Sequence, residues 1–287
     1  MDDDSALSYC AKQVRVHDDD RFLCALFAPE PARKGLLALY AFNLEIARIR
    51  EVVSEPMPGR IRLQWWREAI AGVYAGTPPR HEVVAALSHA VERFGLTRAR
   101  LDRLIDAREF DLDDAPPQDL DALEAYADAT SATLNALALE VLGERGAAAH
   151  AAGRHVGIAW ALVGHLRAAA FHARARRTFL PAELLQKEGL SPEEMFALKP
   201  SDVKRLEALG RVAAAIAEAA RGHLLEARES RSAIPRRALP ALLCGVLAEA
   251  YLKRIRRAGY NLLAPNLEIA RPARQLRVAL GALLRRF

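Results

Sequence analysis

The segment Leu36–Pro56, LLALYAFNLEIARIREVVSEP, sets the reading of the whole chain. Phe42, Ile46, Ile49 and Val53 step by four, three and four residues, the period of one helical face. The opposite face carries Tyr40, Leu44, Ala47, Arg48 and Glu51, so it too points at something. Arg48 and Glu51 are i,i+3 neighbours able to pair, and spacing alone reads this face as a salt-bridged surface.

The same helical spacing recurs almost everywhere, and no stretch alternates as a strand does. Breaks fall at Pro29–Pro31, Pro56–Gly59, Thr77–Pro79, Pro116–Pro117, Pro181, Pro200, Pro235 and Pro265. Ser191-Pro192-Glu193-Glu194 carries the cap, proline and acid of a helix start. About eight to ten helices joined by short loops result. Ala132–Leu142 and Val156–Val163 are apolar on most sides, as helices inside a bundle are. There is no internal repeat and no composition break. The expected fold is all-α, one domain over residues 1–287, with residues 1–16 flexible.

Hydrophobic residues make up 52% of the 287, enough for a sizeable core. Cys10, Cys24 and Cys244 are scattered, which argues against a disulfide framework or a zinc site and fits a reducing compartment. The start, MDDDSALSYC, resembles neither a secretory signal nor a transit peptide. The longest apolar runs, Val156–Gly164 and Ala238–Ala248, are too short to span a bilayer. A cytoplasmic protein is expected, with any membrane association peripheral. Residues 251–287 hold nine Lys or Arg against one acid, Glu268, a net +8 within an overall +5. Such an end attracts anionic surfaces, or is simply a solvated basic helix. No aromatic-plus-basic nucleic-acid motif accompanies it.

Three segments could carry chemistry. Arg48 and Glu51 form one. GHLRAAAFHARARRTFLP, Gly164–Pro181, sets Ala168, Phe171 and His172 on one face, flanked by Arg167 and Arg174. His165 lies two turns from His172, a poor chelate, and a lone histidine is more often packed than ligating. LIDAREFDLDDAPP, Leu104–Pro117, gathers Asp106, Glu109, Asp111, Asp113 and Asp114. These could hold Mg²⁺ beside phosphate, although charge runs are more often solvated faces. Nucleotide-loop, zinc-protease and serine-hydrolase motifs are absent.

In order along the chain, these segments resemble the squalene/phytoene synthase family, an isoprenoid synthase-like helical bundle. The resemblance rests on Arg33 with Ala38–Phe42 (ALYAF), Asp111–Leu112, Tyr126 with Thr130, Ser131 and Ala132, Leu166–Arg167, Phe179–Leu185 and Tyr251–Leu263. It implies head-to-head joining of two prenyl diphosphates, with two aspartate-rich motifs holding Mg²⁺ against the diphosphate. The first motif falls on Ala47, Arg48 and Glu51, which keep one acid. The second falls on Ala168, Phe171 and His172, which keep none. Its Gly-Arg-x-Tyr follows on Arg176, Arg177, Thr178 and Phe179, and two expected glycines are Ala132 and Asn135.

NLEIARIREVVSEP, IRLQWWREAI, DAREFDLDD and LRAAAFHARARRTFLP are similar to a divergent branch of complex I (NADH:ubiquinone oxidoreductase) assembly factors with degenerate aspartate motifs. That resemblance implies a non-catalytic protein with no metal and no cofactor. It also implies complex I subunits or assembly intermediates as partners and a basic C-terminal region facing an anionic membrane, in a bacterial cell. Ligand-facing candidates are Tyr40, Arg48, Glu51, Arg167, His172 and Arg177. Two alternatives stand beside it. One is a Mg²⁺-dependent prenyltransferase using Glu45, Glu51, Asp106 or Asp111. The other is a metal-free binder of an anionic prenyl or phospholipid through Arg48, Arg167, His172 and Arg174. A pure scaffold would instead have the cavity plugged by Phe171 and Leu44.

Overall fold

The computed structural model describes residues 3–199, 201–264 and 267–287, and no strand occurs among them. The breaks expected at Pro200 and Pro265 lie outside the described residues. The first half holds α1 (Asp3–His17), α2 (Asp19–Ala25), α3 (Glu30–Ala47), α4 (Pro56–Tyr74), α5 (Glu82–Phe94), α6 (Arg98–Ala107), α7 (Leu120–Ala127) and α8 (Thr133–Val141). The second holds α9 (Ala147–Arg174), α10 (Ala182–Lys187), α11 (Pro192–Phe196), α12 (Val203–Glu229), α13 (Leu239–Leu242), α14 (Cys244–Arg257) and α15 (Arg271–Leu284).

The long helix α9 is the axis. It packs along α12, α8 and α14, and its Val156, Ile158, Ala159, Leu162, Val163 and Leu166 are buried. Burial on so many sides follows from a segment that offers almost no polar face. It also packs tightly against the π-helical turn Asp128–Ala132, which continues α7 into α8. Gly157 makes this possible: a Cβ there would lie 2.5 Å from Ala132 Cα. Asn135, buried in α8, donates from Nδ2 to the Gly153 carbonyl at 3.1 Å.

Two local expectations change. The start is not loose from Asp3 onward. Residues 3–17 form α1, whose Ala6, Cys10 and Val14 repeat every four residues and are buried against α3 and α5. That apolar stripe stabilises the helix by burial despite the acids ahead of it. The second change concerns α3, which stops at Ala47 instead of running to Val53. Arg48 has φ −93° and ψ 1°, and Ile49–Glu51 tighten into a 3₁₀ turn. Ile49 stays buried, but Val53 is only half-buried and Val52 is exposed, so the four-three-four face loses its hold after Ile49.

Candidate functional site

The early end of α3 shapes a cleft of about 380 Å³ between that turn, the turn after α6, α7 and the last turns of α9. Ala47 and Glu51 line it from one side, and Phe171, His172, Arg177 and Phe179 from the other. Two segments more than a hundred residues apart therefore meet at one opening.

Its floor is a buried ion pair. Arg108 Nη1 donates to Asp111 Oδ2 at 3.2 Å and to the Tyr126 hydroxyl at 2.8 Å, and Nη2 donates to Asn43 Oδ1 at 3.3 Å. The Tyr126 hydroxyl in turn donates to Asp111 Oδ1 at 2.5 Å. Burial raises the Tyr126 hydroxyl pKa, so it remains a donor. Arg50 donates to Asp114 Oδ1 at 3.0 Å and to the Val53 carbonyl at 3.0 Å. Arg177 donates to the Asp111 carbonyl and lies 3.4 Å from Asp114. Burial, then the neighbouring Arg50, lowers the Arg177 pKa.

Aromatic rings form the wall. His165 stacks on Phe179 with centroids 4.3 Å apart, and His172 meets the same ring edge-on at 5.0 Å. Burial first, then the neighbouring His172 ring and the Arg108 guanidinium, pushes His165 down to about 3. Burial, then Arg177, pushes His172 down to about 4. Both rings are neutral near pH 7, so His172 is not the cation a headgroup-binding reading needs. The unfolded rings titrate near the ordinary value of about 6.5 and take up protons there while the folded ones do not. Stability from this pair is therefore fully present above about pH 6.5 and is lost progressively as pH falls towards the two folded values. Urea midpoints should fall from pH 6.5 to pH 5, a window in which most carboxylates stay ionised. His165→Phe with His172→Phe should flatten that limb, and an unchanged slope in the double variant would remove these rings from the account.

The structure gathers Glu51, His172 and Arg177 of the expected candidates and separates the other three. Tyr40 is buried at 2% exposure, with the Arg21 guanidinium 5.9 Å from its ring, and does not line this cleft. Arg48 lines a different cleft, of about 570 Å³, with Trp65, Trp66 and His81, and bonds Glu51 Oε2 at 3.3 Å. Arg167 is drawn into a second polar cluster. It bonds both Glu268 oxygens at 2.9 and 3.0 Å, lies 3.5 Å from Asp20 and sits 3.6 Å over the Tyr251 ring. Arg174 is exposed and lines neither cleft. Phe171 is 56% exposed and Leu44 lines the larger cleft, so these two do not plug one cavity.

Arg50, Arg108 and His165 complete the cleft and did not stand out as candidates. The i,i+3 spacing of Arg108 and Asp111 was the available signal.

A Mg²⁺ cluster of the kind the resemblance implies does not fit these residues. Glu51 is bonded to Arg48, Asp111 to Arg108 and Tyr126, and Asp114 to Arg50. The remaining positions offer a methyl, a phenyl and a neutral imidazole, while three guanidinium groups repel a cation.

Comparison with known proteins gives the family and the fold. Residues 14–280 match the squalene/phytoene synthase family. A protein of Bos taurus named NADH dehydrogenase (ubiquinone) complex I, assembly factor 6, is 37% identical over 260 residues, 91% of this chain and 77% of the relative. A presqualene diphosphate synthase of Rhodopseudomonas palustris is 31% identical over 215 residues, 74% of each chain. A crystal structure of a dehydrosqualene synthase with ligand superposes with TM-score 0.84 at 18% identity, covering 99% of this chain and 97% of that one.

Proposed function

We propose, from the premise that this chain belongs to the squalene/phytoene synthase family, that it serves respiratory complex I assembly without prenyl-transfer chemistry. The carrying observation is the cleft where the two degenerate motifs meet: its acids are bound to arginines and its histidines are neutral. The name of the relatives that share over a third of its residues supports the same direction. The partners are complex I subunits or assembly intermediates.

The protein acts at the inner face of a bacterial membrane. No described helix is long and apolar enough to cross a bilayer. Instead α15 exposes Leu276, Leu280, Leu283 and Leu284, one stripe at i, i+4, i+7 and i+8, beside exposed Arg277, Arg285 and Arg286. Leucines rimmed by arginines suit the boundary between acyl chains and anionic headgroups. Deleting the gene should abolish most NADH:ubiquinone oxidoreductase activity in membranes. The wild-type gene should restore it, and a Leu276→Ser, Leu280→Ser, Leu283→Ser variant should restore it poorly. Full activity in the deletion strain would overturn the assembly role. Full rescue by the triple variant would overturn the docking role.

A second reading has its own observation. Arg50 Nε and Arg108 Nε are buried without a hydrogen-bond acceptor among the described residues, and both side chains line the cleft. An anionic prenyl or phospholipid headgroup could be gripped there directly, as guanidinium groups do well. Inorganic diphosphate should then raise the melting temperature of the wild type and leave an Arg50→Gln, Arg177→Gln variant unmoved.

A further inference from the structure

Away from the cleft, α9 and α12 bring two histidines of distant sequence into direct contact. His155 Nδ1 and His223 Nδ1 are 2.9 Å apart, with ring centroids 5.2 Å apart. Each ring's second nitrogen faces a carboxylate: His155 Nε2 lies 3.3 Å from Glu226, and His223 Nε2 lies 3.4 Å from Glu124 of α7. The rings are mostly enclosed, at 19% and 13% side-chain exposure, whereas Glu226 is 56% exposed.

Counting hydrogens exposes a shortage. Three contacts run along the chain Glu226, His155, His223, Glu124, and each needs one hydrogen. Two neutral imidazoles carry only two. One contact therefore lacks its hydrogen unless one ring is an imidazolium or a cation stands between the nitrogens.

The geometry suits a metal ion in that role. One ligand atom from each of His155, His223 and Glu226 lies within 4.8 Å of the other two. Zinc takes imidazole nitrogen at about 2.0–2.1 Å, so two such ligands on a tetrahedron stand roughly 3.4 Å apart. The observed 2.9 Å needs an opening of only about half an ångström. Glu226 sits three residues after His223 on α12, and its exposed side chain is free to swing in. Glu124 would accept the Nε2 hydrogen of His223 and hold that ring with Nδ1 towards the ion, as carboxylates behind metal-bound histidines do.

We propose that His155, His223 and Glu226 bind a divalent transition-metal ion of the Zn²⁺ type, with Glu124 orienting His223. The two nitrogens and one carboxylate oxygen leave a fourth position for water. The ion ties α9 to α12 and, through Glu124, to α7. The carboxylate cluster Asp106–Asp114 has no part in it, and none of the proposed ligands lines the cleft described above.

The test titrates chelator-treated full-length protein with Co²⁺ alone. The visible bands of four-coordinate Co²⁺ should grow to one equivalent and collapse on addition of Zn²⁺. Zn²⁺ should also raise the melting temperature. His155→Gln and His223→Gln should each abolish both signals, and Glu124→Gln should weaken binding by about tenfold. Glu226→Gln changes an exposed side chain and keeps the fold even where the histidine variants do not. It should weaken binding at least as much. No Co²⁺ bands, or bands unchanged in Glu226→Gln and in either histidine variant, would overturn the proposal.

Discussion

Purified protein mixed with farnesyl or geranylgeranyl diphosphate and Mg²⁺ should give no condensation product above the enzyme-free control. Enzymes commonly speed their reactions by at least about 10⁶-fold, and the whole of that factor is expected to be missing. The reason is charge. A leaving diphosphate must be neutralised by metal ions, which need free carboxylates on both sides of the opening. Here Ala47 and Phe171 offer none, Glu51 is bonded to Arg48, and the His172 ring is neutral. Ala168→Asp with His172→Asp should remain inactive, because the α3 side still presents Ala47 and Arg48. Mg²⁺-dependent product from the wild type at an ordinary enzymatic rate would sink the non-catalytic reading.

Arg108→Met should be among the most destabilising single changes in the chain. It removes a guanidinium 12% exposed from a carboxylate, Asp111, that is 9% exposed. Asp111 would keep the Tyr126 hydroxyl but lose its counter-charge, and Arg177 reaches only the Asp111 carbonyl. Breaking a buried pair on one side costs about 3–5 kcal/mol. In a chain of this size that is a fall of roughly 10 °C in melting temperature. Asp111→Asn added to Arg108→Met removes the stranded charge and should recover a good part of the loss. Thermal melts of the wild type, the single and the double variant decide it. A single variant melting within a degree of the wild type would show that the pair is incidental.

Helical spacing and proline breaks were enough to read an all-α chain, because burial of α8 and α9 depends on local apolar pattern. The convergence of Ala47 and Glu51 with Phe171 and His172 was legible only through the family resemblance. The misplacements have physical causes. Arg48 leaves the cleft because α3 stops one residue before it, and a face extrapolated past a helix end loses its phase. Arg167 is claimed by Asp20 and Glu268, 147 and 101 residues away. Tyr40 sits on the side of α3 that packs under Arg21 rather than on the cleft side. The His155 and His223 pair, 68 residues apart, gave no local signal at all.

The arginine lattice of the cleft also bears on descent. Arg50, Arg108 and Arg177 each bind a group on another segment, so each now helps hold the fold. A single mutation that returned an acid to position 47 or 172 would compete for those guanidiniums before it could hold any metal. Replacing Arg108 first would strand the buried Asp111. On the proposed reading, every short path back to catalysis crosses less stable proteins that gain nothing in return. On that same reading, an exchange of metal for arginine would work as a ratchet, letting selection act on surfaces far from the cleft without prenyl transfer re-emerging.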